Sequence, residues 1–156
     1  MGELSQKVRN SGVLATALKY FSRGHIAVYQ RTNGLLGHRL LWFPAALLTT
    51  IGRKSGKPRT TAMLYYRDGD KVILPASFGG RAKDPLWYRN LKANPDVTVQ
   101  IRDEIMHLRA RDASHEERRR YWPILVQMYP PYQNYREAAE RENREIPLVV
   151  CEPAGS

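Results

Sequence analysis

Gly52 and Gly56 enclose Arg53, Lys54 and Ser55, and Lys57, Pro58 and Arg59 follow directly. An apolar run, Leu47-Leu48-Thr49-Thr50-Ile51, enters this loop, and a β-prone run containing Thr60, Thr61, Met63, Tyr65 and Tyr66 leaves it. Glycines let a backbone turn sharply and come close to a ligand. Successive N–H groups in such a turn form a concavity for anions, and flanking guanidinium and ammonium groups add charge-assisted hydrogen bonds. The chemistry implied is a phosphate grip between two strands. A solvated basic hairpin loop accounts for the same residues, and on the loop alone both readings stand. A P-loop is excluded, because only three residues separate Gly52 from Gly56 and Pro58 stands where that motif requires Ser or Thr.

The remaining residues that could do chemistry are sparse. His25, His38, His107 and His115 lack metal-ligand spacing, and Cys151 is the one cysteine. No Gly-x-Ser-x-Gly elbow is present, and Ser77, at the exit of a strand-like run, has no evident His partner. Cys151 follows the apolar Leu148-Val149-Val150 and reads as a buried, inert thiol. A lone cysteine also rules out an internal disulfide framework and suits a reducing cytosol. At 156 residues, 42% hydrophobic and 26% charged, the chain is long enough to bury a real core. Its net charge of +10 and isoelectric point near 10.0 call for acidic partners: nucleic acid, anionic lipid or a polyanionic small molecule. Residues 2–7 lack the apolar segment of a signal peptide, and the apolar run from Leu40 to Leu48 is too short to span a bilayer. A cytoplasmic protein, at most peripheral on the membrane, is expected.

The elements that must position these groups follow from periodicity. Residues 11–30 predict a helix with Leu14, Leu18, Phe21, Val28 and Tyr29 on its apolar face and a weak point at Gly24. Such a basic amphipathic helix either packs on its own domain or rests on an anionic membrane face. Asn33-Gly34 and Gly37 mark a loop, dividing residues 1–38 from a domain over 39–156. Strands are expected from Ala45 to Ile51, Arg59 to Arg67 and Lys71 to Ala76, the last two joined at Asp68-Gly69, so that the three form an antiparallel meander. A second glycine-containing loop, Ser77 to Arg81, follows. Asp84 is the expected cap of a short helix carrying Leu86, Trp87, Leu91 and Asn90 on one face. Val97, Val99 and Ile101 alternate with polar residues in a half-buried strand, and Ile105 to Arg111 gives another. Ser114-His115-Glu116-Glu117 is a capping box for a helix running to about Met128, with Tyr121, Trp122, Leu125 and Met128 on its core face. A further helix starts near Pro131, and Ile146 to Cys151 closes as a strand. About six strands arriving as hairpins, with three or four helices, predict an α+β antiparallel barrel with helices packed outside.

Three ordered blocks within residues 45–153 resemble the deazaflavin-dependent nitroreductase family of mycobacteria and related actinobacteria. The first is the basic loop, Leu47 to Arg59. The second is Ala76-Ser77-Phe78-Gly79-Gly80 with Pro85 to Pro95, and the third is Tyr121-Trp122-Pro123 through Met128-Tyr129-Pro130-Pro131-Tyr132-Gln133-Asn134-Tyr135. The ending, Ile146 to Pro153, is similar too. The resemblance implies a split β-barrel and reduced coenzyme F420, a deazaflavin with a phosphodiester and an oligoglutamate tail, as hydride donor. Quinones such as menaquinone or nitroaromatics would be the acceptors. It implies that Arg53, Lys54, Ser55 and Arg59, with Lys57 nearby, hold the phosphate and tail. Pro75, Ala76, Ser77 and Gly80 would line the deazaflavin, with Trp87 and Asn90 at the ring or its side chain. Ser77, Tyr129, Tyr132 and Tyr135 would be the catalytic hydroxyls, assisting as proton source or hydrogen-bond donors to the reduced acceptor. Without the resemblance, Ser77 reads as a strand-end residue and the tyrosines as core.

Two positions depart from the family pattern. Leu64 stands where the prodrug-activating member carries a Tyr, and Phe78 stands where a basic residue is sometimes found. The competing classes are a non-catalytic F420 carrier, a sibling barrel using FMN or haem, and a basic β-barrel that binds single-stranded nucleic acid. No nucleic acid is expected as partner, and a monomer or weak dimer is.

Overall fold

The computed structural model describes residues 23–32, 39–40, 43–77 and 84–155. The expected helical positions Leu14, Leu18 and Phe21, the loop at Asn33-Gly34 and Gly37, and the segment from Phe78 to Arg81 lie outside them. Described elements run in the order α1 (23–31), β1 (Arg39–Leu40), β2 (Phe43–Ile51), β3 (Pro58–Leu64), β4 (Tyr66–Asp68), β5 (Lys71–Pro75), α2 (Leu86–Ala93), β6 (Asp96–Ile101), β7 (Glu104–Asp112), α3 (His115–Met128), α4 (Pro131–Arg141) and β8 (Leu148–Glu152).

All strands join one antiparallel sheet, ordered β1-β2-β6-β7-β8-β5-β4, with β3 also paired to β2. The expected second meander strand, Arg59 to Arg67, is therefore two elements. β3 pairs with β2 from Ala45↔Leu64 to Ile51↔Pro58, whereas β4 pairs with β5 from Tyr66↔Ile73 to Asp68↔Lys71. Only Tyr65 connects them. One residue thus carries the chain from one margin of the sheet to the other, so the sheet must curl on itself. Tyr65, 8% exposed, turns its ring into the barrel core. Neighbouring residues feel this switch as a change of partner rather than of backbone type, which is why an unbroken β-prone run conceals it.

Two cores follow from strand alternation. Val72, Leu74, Val149 and Cys151 face the barrel interior with Leu48, Val97, Val99 and Leu108. Ile73, Leu148 and Val150, on the opposite faces of β5 and β8, pack against Tyr121, Trp122 and Leu125 of α3 and Tyr132 and Ala139 of α4. Both faces of these two strands are buried, so they read as continuous apolar runs, while β6 buries one face and alternates. Burial pushes the Cys151 thiol up to about 12, so it is neutral and inert at physiological pH.

Three local expectations change. Tyr29 is fully buried but Val28, its neighbour on the predicted apolar face, is 45% exposed. Asp84 does not cap α2, whose N-terminal flank is Pro85 with no side-chain cap. Its carboxylate instead accepts from Arg144 Nη2 at 2.6 Å, a bidentate-capable cation that outbids a backbone amide. Leu86 is 69% exposed rather than packed on the face shared by Leu91 and Asn90.

The capping box forms as expected: Glu117 N–H donates to Ser114 Oγ at 3.2 Å, and Ser114 N–H donates to Glu117 Oε1 at 2.9 Å. Glu117 also accepts from Arg111 Nη1 at 2.8 Å, and Arg111 Nε donates to Glu152 at 2.7 Å, tying α3 to β7 and β8. Arg111 lowers Glu117 from 4.5 to about 2 and lowers Glu152 as well. A depressed folded-state carboxylate contributes stability above its unfolded value and loses it as pH falls through the folded one. Urea midpoints should therefore drop as pH is lowered from about 4.5 towards about 2, and Glu117→Gln should flatten that drop.

Candidate cofactor and acceptor site

β3 pairs on one side only, with β2. Its residues do not alternate between buried and exposed, and Thr60 to Leu64 border open space consecutively. A strand lines a cleft with successive residues only when its edge, rather than a face, is presented. The split in the barrel is therefore the candidate site, and it has two compartments that meet at Thr61, Leu86 and Trp87.

The first compartment, of about 510 Å³, is lined by Arg23, Arg53, Lys54, Ser55, Arg59, Thr50, Trp87 and Asn90 among others, and among the described residues by no Asp or Glu. The loop that supplies its cations is held by its own backbone. Gly52 N–H donates to the Lys57 carbonyl and Gly56 N–H donates to the Gly52 carbonyl, each at 2.8 Å. Gly56 has φ +69°, and a Cβ on Gly52 would lie 2.6 Å from Ser55 Oγ and 3.3 Å from the Lys57 carbonyl. Both glycines are thus required by the geometry, one by φ and one by space. Asn90, 8% exposed, clamps the loop onto α2: its Oδ1 accepts from Arg53 N–H and its Nδ2 donates to Thr50 Oγ1, each at 3.2 Å. Asn90 therefore positions the loop as well as lining the cleft. Lys57 gives the loop its backbone, and its side chain is not among the lining groups.

Several cations elsewhere on the molecule are neutralised by carboxylates. Arg67, Lys92, Arg111, Arg118 and Arg144 each meet a carboxylate within 2.9 Å. A cavity of about 360 Å³ between α3 and the segment after α4 contains Arg118 and Arg144, but Glu145 and Asp84 neutralise them. Among the described residues, Arg23, Arg53, Lys54 and Arg59 pair with no carboxylate. A cluster of like charges without counter-ions is costly unless a ligand supplies them.

The second compartment, of about 470 Å³, has no charged residue among the described residues that line it. It is lined by Met63, Leu64, Pro75, Ser77, Leu86, Trp87 and the tyrosines Tyr129, Tyr132 and Tyr135, among others. The three phenol rings pack edge to face, with centroids 4.9 Å apart for Tyr129–Tyr132 and 6.1 Å for Tyr132–Tyr135. The Tyr129 and Tyr135 hydroxyls lie 3.4 Å apart. That bond raises the Tyr129 phenol, and burial raises Tyr132, so both remain protonated donors at neutral pH. Tyr132 is 6% exposed and belongs to the helix-side core as well, so the core and site readings of this residue coexist.

Of the expected residues, Ser77 and Pro75 line the aromatic compartment and Trp87 lines both. Ala76 is fully buried and borders neither: its N–H donates to the Pro147 carbonyl at 2.9 Å and its carbonyl accepts from Arg144 Nη2 at 3.1 Å. Gly80 lies outside the described residues. Arg144 is a positioning residue that sequence reading passed over, joining Ala76, next to Ser77, to Asp84. Its place in a charged helical run gave no signal. Arg23, Thr50, Met63 and Leu86 were likewise found only by the fold.

The split barrel is shared with solved structures. An F420-H2-dependent reductase aligns at TM-score 0.64 with 40% identity, over 70% of this chain and 94% of that one. A protein described as a domain-swapped dimer aligns at TM-score 0.67 with 33% identity, over 92% and 99% of the two chains. A Listeria innocua protein assigned to pyridoxamine 5′-phosphate oxidase aligns at TM-score 0.50 with 14% identity, a likeness of fold alone. In sequence, an F420H(2)-dependent quinone reductase of Mycobacterium tuberculosis is 41% identical, covering 82% of this chain and 87% of its own. The model of the F420H(2)-dependent quinone reductase family matches residues 21–153, and with two compartments that suit an anionic tail and a planar ring, the chain belongs to that family.

Proposed function

We propose that this protein binds reduced coenzyme F420 along the split of its barrel and catalyses reduction of a quinone by it. The observation that carries this reading is the abutment, at Trp87, of a cleft with four uncompensated cations and an uncharged aromatic pocket. A ligand anionic at one end and flat at the other fits both at once. A basic nucleic-acid surface would not need the charge-free compartment.

Arg53, Lys54 and Arg59 hold the phosphodiester end, with Ser55 as a further hydrogen-bond donor and Lys57 adding charge from the loop's rim. Asn90 fixes the loop from which they project. Pro75, Trp87 and Met63 give apolar walls against the ring, with Ala76 behind the wall and Gly80 beyond the described segment. When bound in its reduced form the cofactor supplies a hydride. A quinone that gains a hydride needs one proton, or a donor to the oxyanion, to become a hydroquinone. Ser77, Tyr129, Tyr132 and Tyr135 supply hydroxyl hydrogens to that oxygen, and the raised tyrosines keep theirs at neutral pH. The protein's remaining contribution is to hold donor and acceptor in contact and exclude water.

Leu64 lines the aromatic pocket, so the departure from the prodrug-activating member falls inside the acceptor site. A methyl-tipped side chain offers no hydrogen bond to a nitro group, and quinones are therefore the preferred acceptors. No helix among the described residues is long and apolar enough to cross a membrane.

Mixing the protein with reduced F420 and menadione should produce oxidised cofactor in a protein-dependent, multiple-turnover reaction. Tight binding with no oxidation by any quinone would leave a carrier and overturn the assignment. Arg53→Ala should raise the dissociation constant by about tenfold, the loss of one charge-assisted contact, with little change in the rate once saturated. Ser77→Ala should instead lower kcat by about tenfold to a hundredfold with binding nearly intact.

A further inference from the structure

Arg23 stands apart from the other cations of the cleft, because it comes from α1 rather than from the loop between β2 and β3. α1 is fixed to the barrel at its other end. Tyr29, fully buried, accepts from Arg102 N–H at 2.6 Å and donates to the Gln100 carbonyl at 3.3 Å. Arg102 has φ 56°, a conformation uncommon for a residue other than glycine, at the turn between β6 and β7. Tyr29 thus reads that turn, and the helix extends from it by about 9 Å to Arg23. The helix therefore delivers a guanidinium to a defined place on the cleft wall.

Charge matching indicates what it meets. A phosphodiester carries one negative charge, whereas the cleft offers four cations and no carboxylate of its own. Arg53, Lys54 and Arg59 come from one loop and its exit strand and are enough for the phosphodiester. Resting on the F420 reading above, we propose that Arg23 pairs with carboxylates of the oligoglutamate tail, making α1 the element by which this protein prefers glutamylated over glutamate-free cofactor. The assignment is specific to the tail. Arg23 lines the basic compartment and not the aromatic one, so it has no route to the ring.

The test is a fluorescence titration of wild type, Arg23→Ala, Arg23→Lys and Tyr29→Phe with two cofactor forms. One carries several glutamates, and the other ends at the phosphodiester. Arg23 is exposed, so its replacement should leave the fold intact. Arg23→Ala should weaken the glutamylated form by about threefold to tenfold, leave the glutamate-free form within about twofold, and be partly rescued by Arg23→Lys. Tyr29→Phe, which loosens the helix without touching the cleft, should move binding in the same direction. Equal loss for both forms, or no loss for either, would overturn the tail assignment. Failure of wild type to bind either form would overturn the F420 reading itself, and this inference with it.

Discussion

The connection through Tyr65 is the constraint from which the site follows. Strands at opposite margins of the sheet, β3 and β4, are joined by one residue, so the margins cannot drift apart. The sheet curls, yet β3 reaches no second ladder partner, and an unpaired edge is left in an otherwise closed structure. Exposed strand edges invite association unless something manages them. Here α2 stands over the opening, and Asn90 and Trp87 are the residues by which it does so. Burying Tyr65 in the barrel core makes this arrangement stable, because displacing the ring would expose the apolar surface around it.

Along that opening the charges are sorted. Elsewhere Arg67, Arg111, Arg118 and Arg144 meet carboxylates at hydrogen-bond distance, and such exposed pairs add little to stability. In the cleft the same kind of side chain is left without a partner. Mutual repulsion there is softened by water, at about 1 kcal/mol or less per close pair in high dielectric, so the protein tolerates it in the free state. An anionic ligand converts that cost into attraction. Asn90 matters because it fixes the loop before the ligand arrives, reducing the ordering cost of binding. The neighbouring pocket has no charged lining among the described residues, and the Tyr129 and Tyr132 phenols are raised, by the Tyr135 hydrogen bond and by burial respectively.

Much of this was legible in the chain, for identifiable reasons. The capping box at Ser114 and the alternation in β6 are local patterns whose physical cause lies within a few residues, and both form where expected. The basic loop was legible because its two glycines answer to φ and to space. What was hidden depends on partners far along the chain. The break at Tyr65 is a change of ladder partner, invisible in a run that is β-prone on both sides. Asp84 has the residue type of a cap but is taken by Arg144, sixty residues on. Val28 and Leu86 are apolar residues left exposed, one on α1 and the other at the junction of the two compartments. Tyr132 was weighed as core or site; it packs in the helix-side core and also borders the aromatic pocket.

The most direct test of one ligand bridging both compartments is a crystal structure of the protein with F420 bound. The account predicts the phosphodiester within salt-bridge distance of Arg53, Lys54 or Arg59, and the ring against Trp87 and Pro75 with a face open towards Ser77 and the tyrosines. A phosphodiester seated instead beside Arg118 and Arg136, or a ring lying outside the split, would contradict it.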